Sequence, residues 1–530
     1  MKKIEILDST LRDGAQGEGI SFSVHDKLKV LAALDEIGID LVEAGNPGSN
    51  PKDLEFFRQV KHLNLKSARL AAFGSTRRRG IAVEEDGNVQ SLLKADTPVV
   101  VIFGKSWDFH VTDIIKATKK ENLAMIRETV AFFVGKGKEV VFDAEHFFDG
   151  YKSDPEFALK CCEAGFEGGA SSVVLCDTNG GCLPMFIEDV TRIVVKHFEG
   201  KIIGIHCHND SGFAEANSLL AIHAGASHLQ GTFAGFGERC GNANLATLIA
   251  NLQLKYECSC ITEEQLSLLT PTARMISEIA NITVPNGMPY IGKSAFAHKG
   301  GMHIDGVSKN TSSFEHIDPE LVGNERRFLV SEVAGRSMIL ARIQQISPEL
   351  SKDSKETREI IDELKRLEME GYQFEGAESS FELVIRKHLG KYRPFFELDH
   401  FRIIGDQPAY DKENSNAAIL KIKVDGAEEI TAAQGDGPVN ALDKALRKAL
   451  EVFYPELKSV HLTDYKVRVL DSRQATASRV RVLIESSDGS DFWTTVGVST
   501  DIIEASWIAL RDSIEYKLLK EIERKMSAYF

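Results

Sequence analysis

Two histidines one residue apart close an apolar run in Ile202-Ile203-Gly204-Ile205-His206-Cys207-His208-Asn209-Asp210-Ser211-Gly212. If the run is a strand, alternation puts His206 and His208 on the same side. Two imidazoles at the end of one rigid strand can hold a single divalent metal. The same pair could instead be core histidines satisfied by backbone carbonyls, and spacing alone does not separate the two. A second polar stretch, Asp8-Ser9-Thr10-Leu11-Arg12-Asp13-Gly14-Ala15-Gln16, sets an Asp beside an Arg. In isolation such a pair reads as a surface ion pair. Facing the histidines, Asp13 would complete a face of two histidines and one carboxylate with positions left open for substrate and water. A metal held this way can chelate a 2-oxo acid through its keto and carboxylate oxygens. Arg12 would then meet the negative charge that develops on the keto oxygen.

The elements that must bring these stretches together are legible as a repeat. Strand-like apolar runs occur at residues 4–8, 41–44, 68–73, 99–103, 140–142, 173–176, in the histidine stretch and at 228–233. Helical patterns alternate with them at 24–37, 53–62, 111–134, 156–165, 185–198, 214–223 and 243–254. Eight such units in about 250 residues predict an α/β fold, a (β/α)8 TIM barrel. Polar residues gather where the runs end: Asp8 to Gln16, Asn46 to Asn50, Glu145-His146, Asp177-Thr178-Asn179, the histidines, and Gly237-Glu238-Arg239. In a barrel these ends share one mouth, so Asp13, Glu145 and Thr178 are expected in one cavity with His206 and His208. The glycine cluster 235–241 lacks the spacing of a dinucleotide fingerprint and suits a loop facing phosphate or CoA.

These motifs resemble those of the acyl-CoA-dependent Claisen-condensing enzymes on metal-binding TIM barrels, the family of 2-isopropylmalate, homocitrate and citramalate synthases. Leu11-Arg12-Asp13-Gly14-Ala15-Gln16 with Lys27 is similar to the family's first motif, and residues 203–216 to its second. Gly237-Glu238-Arg239-Cys240-Gly241-Asn242 is similar to a third, and Gly435-Asp436-Gly437-Pro438-Val439 with residues 493–510 to its C-terminal module. The resemblance implies a divalent metal (Mg2+, Mn2+ or Zn2+) on Asp13, His206 and His208, with Asn242 near it directly or through water. It implies Thr178 on the oxo-acid carboxylate, and Arg12 and Asp13 among the substrate-binding residues. Glu145 and His303 correspond to the catalytic acidic residue and the catalytic histidine. Acetyl-CoA, the cosubstrate, must lose a weakly acidic methyl proton, which calls for a positioned base, here His303 assisted by Glu145. Where related synthases carry a tyrosine after the histidine motif, this chain has Phe314, which cannot donate a hydrogen bond. The loops at residues 43–53 and 316–327 look most like the branch that joins acetyl-CoA to pyruvate, giving citramalate on a route to isoleucine. The alternative acceptor is 2-oxoisovalerate, on the route to leucine, since one or two methylenes discriminate by only ~1–3 kcal/mol.

With 530 residues, the chain needs more than one domain. We expect a catalytic barrel over 1–270, linker subdomains contributing to the active site over 271–390, and a C-terminal regulatory and dimerisation domain over 391–530. A net charge of −15 argues against nucleic acid and anionic membranes as partners. No apolar run approaches the ~18 residues of a membrane span, and the start lacks a signal-peptide core. Eight scattered cysteines suit a reducing cytoplasm. Past the barrel, helical patterns are expected at 262–281, 330–346 and, highly charged and solvated, at 355–370. From 381 onward alternating strand patterns set in, with strands at 395–404, 417–424, 465–470 and 480–486 and helices at 440–453 and 502–525. There the turn Gly435-Asp436-Gly437-Pro438 could set backbone N–H groups around a small carboxylate. Ile503 and Ala505 lie at a helix start that favours the same anion. The resemblance makes this an end-product site for isoleucine on a homodimer; the plainer reading is a dimerisation module whose loops are only turns. A lyase on the same barrel would lack this module, and a non-catalytic sensor need not keep Arg12, Asp13 and both histidines.

Overall fold

A computed structural model describes residues 2–299, 301–329, 339–340, 343–344, 346–406, 415–470 and 478–527. The chain divides into two compact units, Met1–Ala297 with Lys309–Arg327, and His298–Ser308 with Phe328–Phe530.

In the first unit eight parallel strands close into a barrel in sequence order: β1 Glu5–Asp8, β2 Leu41–Glu43, β3 Arg69–Ser75, β4 Val99–Lys105, β5 Glu139–Glu145, β6 Ser172–Asp177, β7 Ile202–Cys207 and β8 His228–Gly231. The near-continuous apolar runs follow from burial on both faces. Leu7, Leu41, Ala71, Val99, Val101, Val141 and Val174 fill the barrel interior. The alternate residues, among them Ile6, Val42, Val100, Phe142, Val173 and Ile205, belong to the layer shared with the helices. That parity decides which residues reach the mouth. Glu43, Phe73, Asp143, Glu145, His206 and Gln230 all continue the inward rows. The opposite end is closed by Glu5, Arg69, Glu139 and His228, with Arg69 paired to both glutamates and His228 Nδ1 2.8 Å from Glu5.

The helices around the barrel are α1 Val24–Glu36, α2 Pro51–Gln59, α3 Gly87–Ala95, α4 Lys119–Gly135, α5 Phe147–Ser153, α6 Pro155–Gly168, α7 Pro184–His197, α8 Ala214–His223 and α9 Leu245–Leu254; α10 Glu263–Leu266 and α11 Leu269–Ile279 follow. Several differ from expectation: α5 is a further helix, and the stretch expected as one helix over 262–281 is divided into α10 and α11. The pattern over 111–134 is not one helix: a π turn at His110–Ile114 ends at Lys116 in the left-handed region, and α4 restarts on the Thr118 cap. Helix α3 has no counterpart in the sequence reading, because Gly87 and Asn88 open it with weak helix formers. Its start is set by the Asp86 carboxylate, which accepts from the Asn88 and Val89 N–H groups.

The second unit carries α12 Gly301–Lys309 except for its last residue, α13 Lys355–Met369 and α14 Glu378–His388. The helix expected over 330–346 falls largely outside the described residues. Helix α13 is charged on one side only and buries Ile360, Ile361 and Leu364 on the other. Residues from 381 do not begin a sheet; Phe381 and Ile385, four apart, are buried on α14. Two successive βββα segments follow. β9 Glu397–Asp406, β10 Ser415–Val424 and β11 Ala427–Gly435 form an antiparallel sheet packed on α15 Pro438–Leu450. β12 His461–Val469, β13 Val480–Ser487 and β14 Phe492–Ser499 form a second sheet, packed on α16 Ile502–Ser527. The third strand of each sheet was not foreseen: β11 is an edge strand, rich in charge and small residues, without an apolar alternation. One hydrophobic core joins both segments, built on Leu420, Ile422, Leu446, Ile484, Trp493 and Leu510.

Candidate active site

Alternation along β7 turns His206 inward, and one residue past its end His208 faces the same way. The loop after β1 is wound tightly by Arg12, Asp13 and Gly14 N–H groups donating to the Ser9 carbonyl, which swings Asp13 over the histidines. Asp13 Oδ2 lies 3.5 Å from His206 Nε2 and 3.9 Å from His208 Nε2, and the two Nε2 atoms are 3.4 Å apart. Those are the edges of a coordination polyhedron with bonds of about 2.0–2.2 Å. Among the described residues this is the cluster of three metal-capable side chains whose donor atoms all lie within 4.8 Å of one another.

Charge in the pocket fits a cation. Arg12 is the positive group there, its Nε 2.5 Å from Glu43 Oε2 and Nη1 3.2 Å from Asp13 Oδ2, with its guanidinium 3.7 Å above the Phe73 ring. Around it are three buried carboxylates, Asp13, Glu43 and Asp143. Burial pushes Asp13 up, yet Arg12 and the histidines outweigh it and hold the carboxyl well below its ordinary range. Burial, with Glu43 nearby, pushes Asp143 up to about 6. Burial and the neighbouring His206 depress His208 to about 3, leaving it a neutral ligand. His208 Nδ1, Glu43 Oε1 and Asn242 Oδ1 are buried acceptors or donors with no partner among the described residues. A divalent ion with bound water suits this surplus of negative charge and open acceptors.

The other expected residues fall as follows. Asn242 forms a backbone bridge with His208, and its Nδ2 donates to the Phe236 carbonyl at 3.0 Å, leaving Oδ1 open. Its placement requires Gly241, at φ +87, where a Cβ would lie 2.1 Å from the Gly235 carbonyl oxygen. The glycine cluster after β8 folds back on itself, and Arg239 ties it to Asp210 at 2.8 Å and to the Thr178 carbonyl at 2.8 Å. Thr178 Oγ1 accepts the His146 N–H at 2.9 Å, which leaves the hydroxyl hydrogen to point elsewhere. Glu145 ends β5 and pairs with Lys105 on the neighbouring strand. His146, Ala234 and Arg239, all on mouth loops, adopt left-handed backbone at φ 56. Lys27 is not a free cation: its ammonium bonds Asp53 Oδ1 at 2.5 Å and the Ala44 carbonyl at 2.8 Å, fastening the loop after β2. Beside Arg12 opens a cavity of about 300 Å³, lined among others by Gln16, Phe22, Asn46, Asn50 and Phe73.

His303 belongs to the second unit, at an exposed position on α12. Phe314 is exposed in the first unit. In the C-terminal module Gly435 ends β11 and Gly437 caps α15; the Asp436 N–H donates to Asn440 Oδ1 at 3.3 Å. At the start of α16 the Ile503 and Glu504 N–H groups already donate to Asp501, at 2.7 and 3.3 Å, and Ala505 is fully buried.

Three pocket residues escaped the sequence reading: Glu43, Asp143 and Gln230. Glu43 and Asp143 lie two residues beyond the inward apolar residues Leu41 and Val141, so strand parity carried to the end of each run would have found them. Gln230 lies two beyond inward His228, on a strand whose apolar residue, Leu229, faces the helices.

Comparison with known proteins agrees with the barrel and the module that follows it. Residues 3–276 match the HMGL-like family, 290–371 the homocitrate synthase post-HMGL domain-like family, and 375–518 the LeuA allosteric (dimerisation) domain. An (R)-citramalate synthase of Aquifex aeolicus is 53% identical, covering 98% of this chain and 99% of its own. One of Geobacter sulfurreducens is 49% identical over 99% of each chain. A 2-isopropylmalate synthase of Listeria innocua is 29% identical, over 96% of this chain and 95% of its own. The chain belongs to the HMGL-like family and, within it, stands with the (R)-citramalate synthases.

Proposed function

We propose that the protein is a citramalate synthase, condensing acetyl-CoA with pyruvate and water to release CoA and (R)-citramalate on a route to isoleucine. The observation that carries this reading is full-length similarity to (R)-citramalate synthases, joined to a mouth that holds Asp13, His206, His208 and Arg12 in one cluster. Asp13, His206 and His208 would hold a divalent metal, with Asn242 Oδ1 as a further acceptor. When bound, the metal supplies Lewis-acid polarisation of the 2-oxo acid. Arg12 stabilises the charge that gathers on the keto oxygen as its carbon is attacked. The hydroxyl of Thr178, its oxygen already occupied by the His146 N–H, donates to the acceptor's carboxylate. His303, assisted by Glu145, takes the methyl proton of acetyl-CoA; the polar, glycine-rich sequence around it supports that role. Water then cleaves the thioester, giving the new carboxylate and free CoA thiol.

Division into a barrel over 1–270, linker subdomains over 271–390 and a regulatory module over 391–530 belongs to the same proposal. So do a cytoplasmic homodimer and isoleucine as effector, with Gly435, Asp436, Gly437, Ile503 and Ala505 around its site. Among the described residues no helix is long and apolar enough to cross a membrane. The test is release of free thiol from acetyl-CoA across a panel of 2-oxo acids. Pyruvate is expected to give the highest kcat/KM. A preference for 2-oxoisovalerate would make the chain a 2-isopropylmalate synthase instead, and no thiol release with any acceptor would overturn the reading.

A further inference from the structure

A neutral imidazole has one N–H, and His206 can offer Nε2 to a metal only if that hydrogen sits on Nδ1. His206 Nε2 faces Asp13 and His208, while Nδ1 lies 2.9 Å from Gln230 Oε1. A glutamine alone does not settle the question, because its amide could present either the oxygen or the NH2 group to the ring. The far end settles it. Gln230 Nε2 lies 2.9 Å from Asp143 Oδ1, a carboxylate oxygen that accepts. With the NH2 group committed to Asp143, the amide oxygen must face His206 and take the Nδ1 hydrogen.

We propose that Gln230, oriented by Asp143, is the positioning residue that sets the tautomer of His206. The three groups come from β5, β8 and β7, and Gln230 is the register partner of His206 across the β7–β8 pair. All three are buried: Gln230 0%, Asp143 4% and His206 5% exposed. Water therefore does not compete for these bonds. Metal-bound histidines commonly lean on a carboxylate directly. Here an amide stands between, transmitting orientation without bringing another negative charge against a ring already beside Asp13. The inference rests on the reading of Asp13, His206 and His208 as a metal face.

The test uses the full chain stripped of metal. At alkaline pH, where the imidazole is neutral, nitrogen-15 NMR of labelled histidine should show His206 protonated at Nδ1. Mn2+ titration followed by EPR should show Gln230→Met binding about 10–100-fold more weakly than wild type, the usual effect of losing such a partner. Asp143→Asn, which can present either end of an amide to Gln230, should lose less affinity and show His206 in both tautomers. Circular dichroism checks that each variant is folded. Unchanged Mn2+ affinity in folded Gln230→Met, or a wild-type His206 protonated at Nε2, would overturn the proposal. If Gln230→Met does not fold, the wild-type tautomer decides alone. If wild type binds no Mn2+ although Nδ1 carries the hydrogen, it is the metal face that fails and the tautomer assignment stands.

Discussion

Replacing Arg12 by Lys keeps the charge and removes the fork. In the structure one guanidinium reaches Glu43 through Nε and Asp13 through Nη1 while lying flat on Phe73. An ammonium can serve one of these carboxylates at a time and cannot stack. Losing a charge-assisted hydrogen bond to a buried carboxylate costs about 1.5–3 kcal/mol. The stacked cation contributes a further ~0.5–2 kcal/mol. Stability should therefore fall by about 2–5 kcal/mol, visible as an earlier midpoint in urea. That loss says nothing about chemistry, so turnover must be expressed per folded molecule. If the guanidinium also meets the oxygen on which charge develops, turnover should fall a further 10²–10³-fold, about 2.7–4 kcal/mol of barrier. The assay is thiol release at saturating acetyl-CoA and pyruvate, below the temperature at which the variant unfolds. Turnover within about threefold of wild type, together with the expected loss of stability, would reduce Arg12 to a clamp between two carboxylates.

His206→Ala or Asp13→Asn should abolish condensation with circular dichroism unchanged, and so should chelation; full activity of a metal-free preparation would remove the metal from the mechanism. Glu515, fully buried on α16 where Phe395 N–H donates to it, is pushed up to about 7 by burial. Its folded pKa exceeds the unfolded value of 4.5, so the contribution is intact below that and is lost as pH rises to about 7. The shift corresponds to about 3 kcal/mol. Glu515→Gln should flatten that decline in urea denaturation between pH 4.5 and 7, and an identical slope would show that the carboxyl ionises freely in the folded state. At Gly435 a Cβ would lie 2.5 Å from the Ala441 N, so Gly435→Asp must displace the turn before α15. It should relieve inhibition by isoleucine and leave uninhibited turnover unchanged; undiminished inhibition would take the turn out of the effector site.

The barrel was legible because burial on both faces writes strands as apolar runs, and because each run ends in polar residues. The His206–His208 spacing and the Arg12–Asp13 pair survive as geometry for the same reason: strand parity and one tight loop place them. What was illegible depends on partners distant in sequence. Nothing local in β5 says that Asp143 meets Gln230 across the barrel, or that Lys105 would pair with Glu145. Helix α3 was hidden because a side-chain cap, not apolar periodicity, starts it. Strand β11 was hidden because an edge strand with one packed face needs little apolar sequence.

Three residues with side chains, His146, Ala234 and Arg239, hold left-handed backbone around the mouth. A non-glycine residue there is strained, at a cost of order 1–3 kcal/mol, and the surrounding structure must impose it. Glycine at these positions would lower that cost. Selection for heat resistance alone would therefore drift toward glycine at the rim, and each step would slacken a loop that fixes Thr178, Asn242 or the glycine turn between them. Thermal robustness and a rigid mouth draw on the same three torsion angles in opposite directions, so a chain hardened there should lose turnover before it loses its fold.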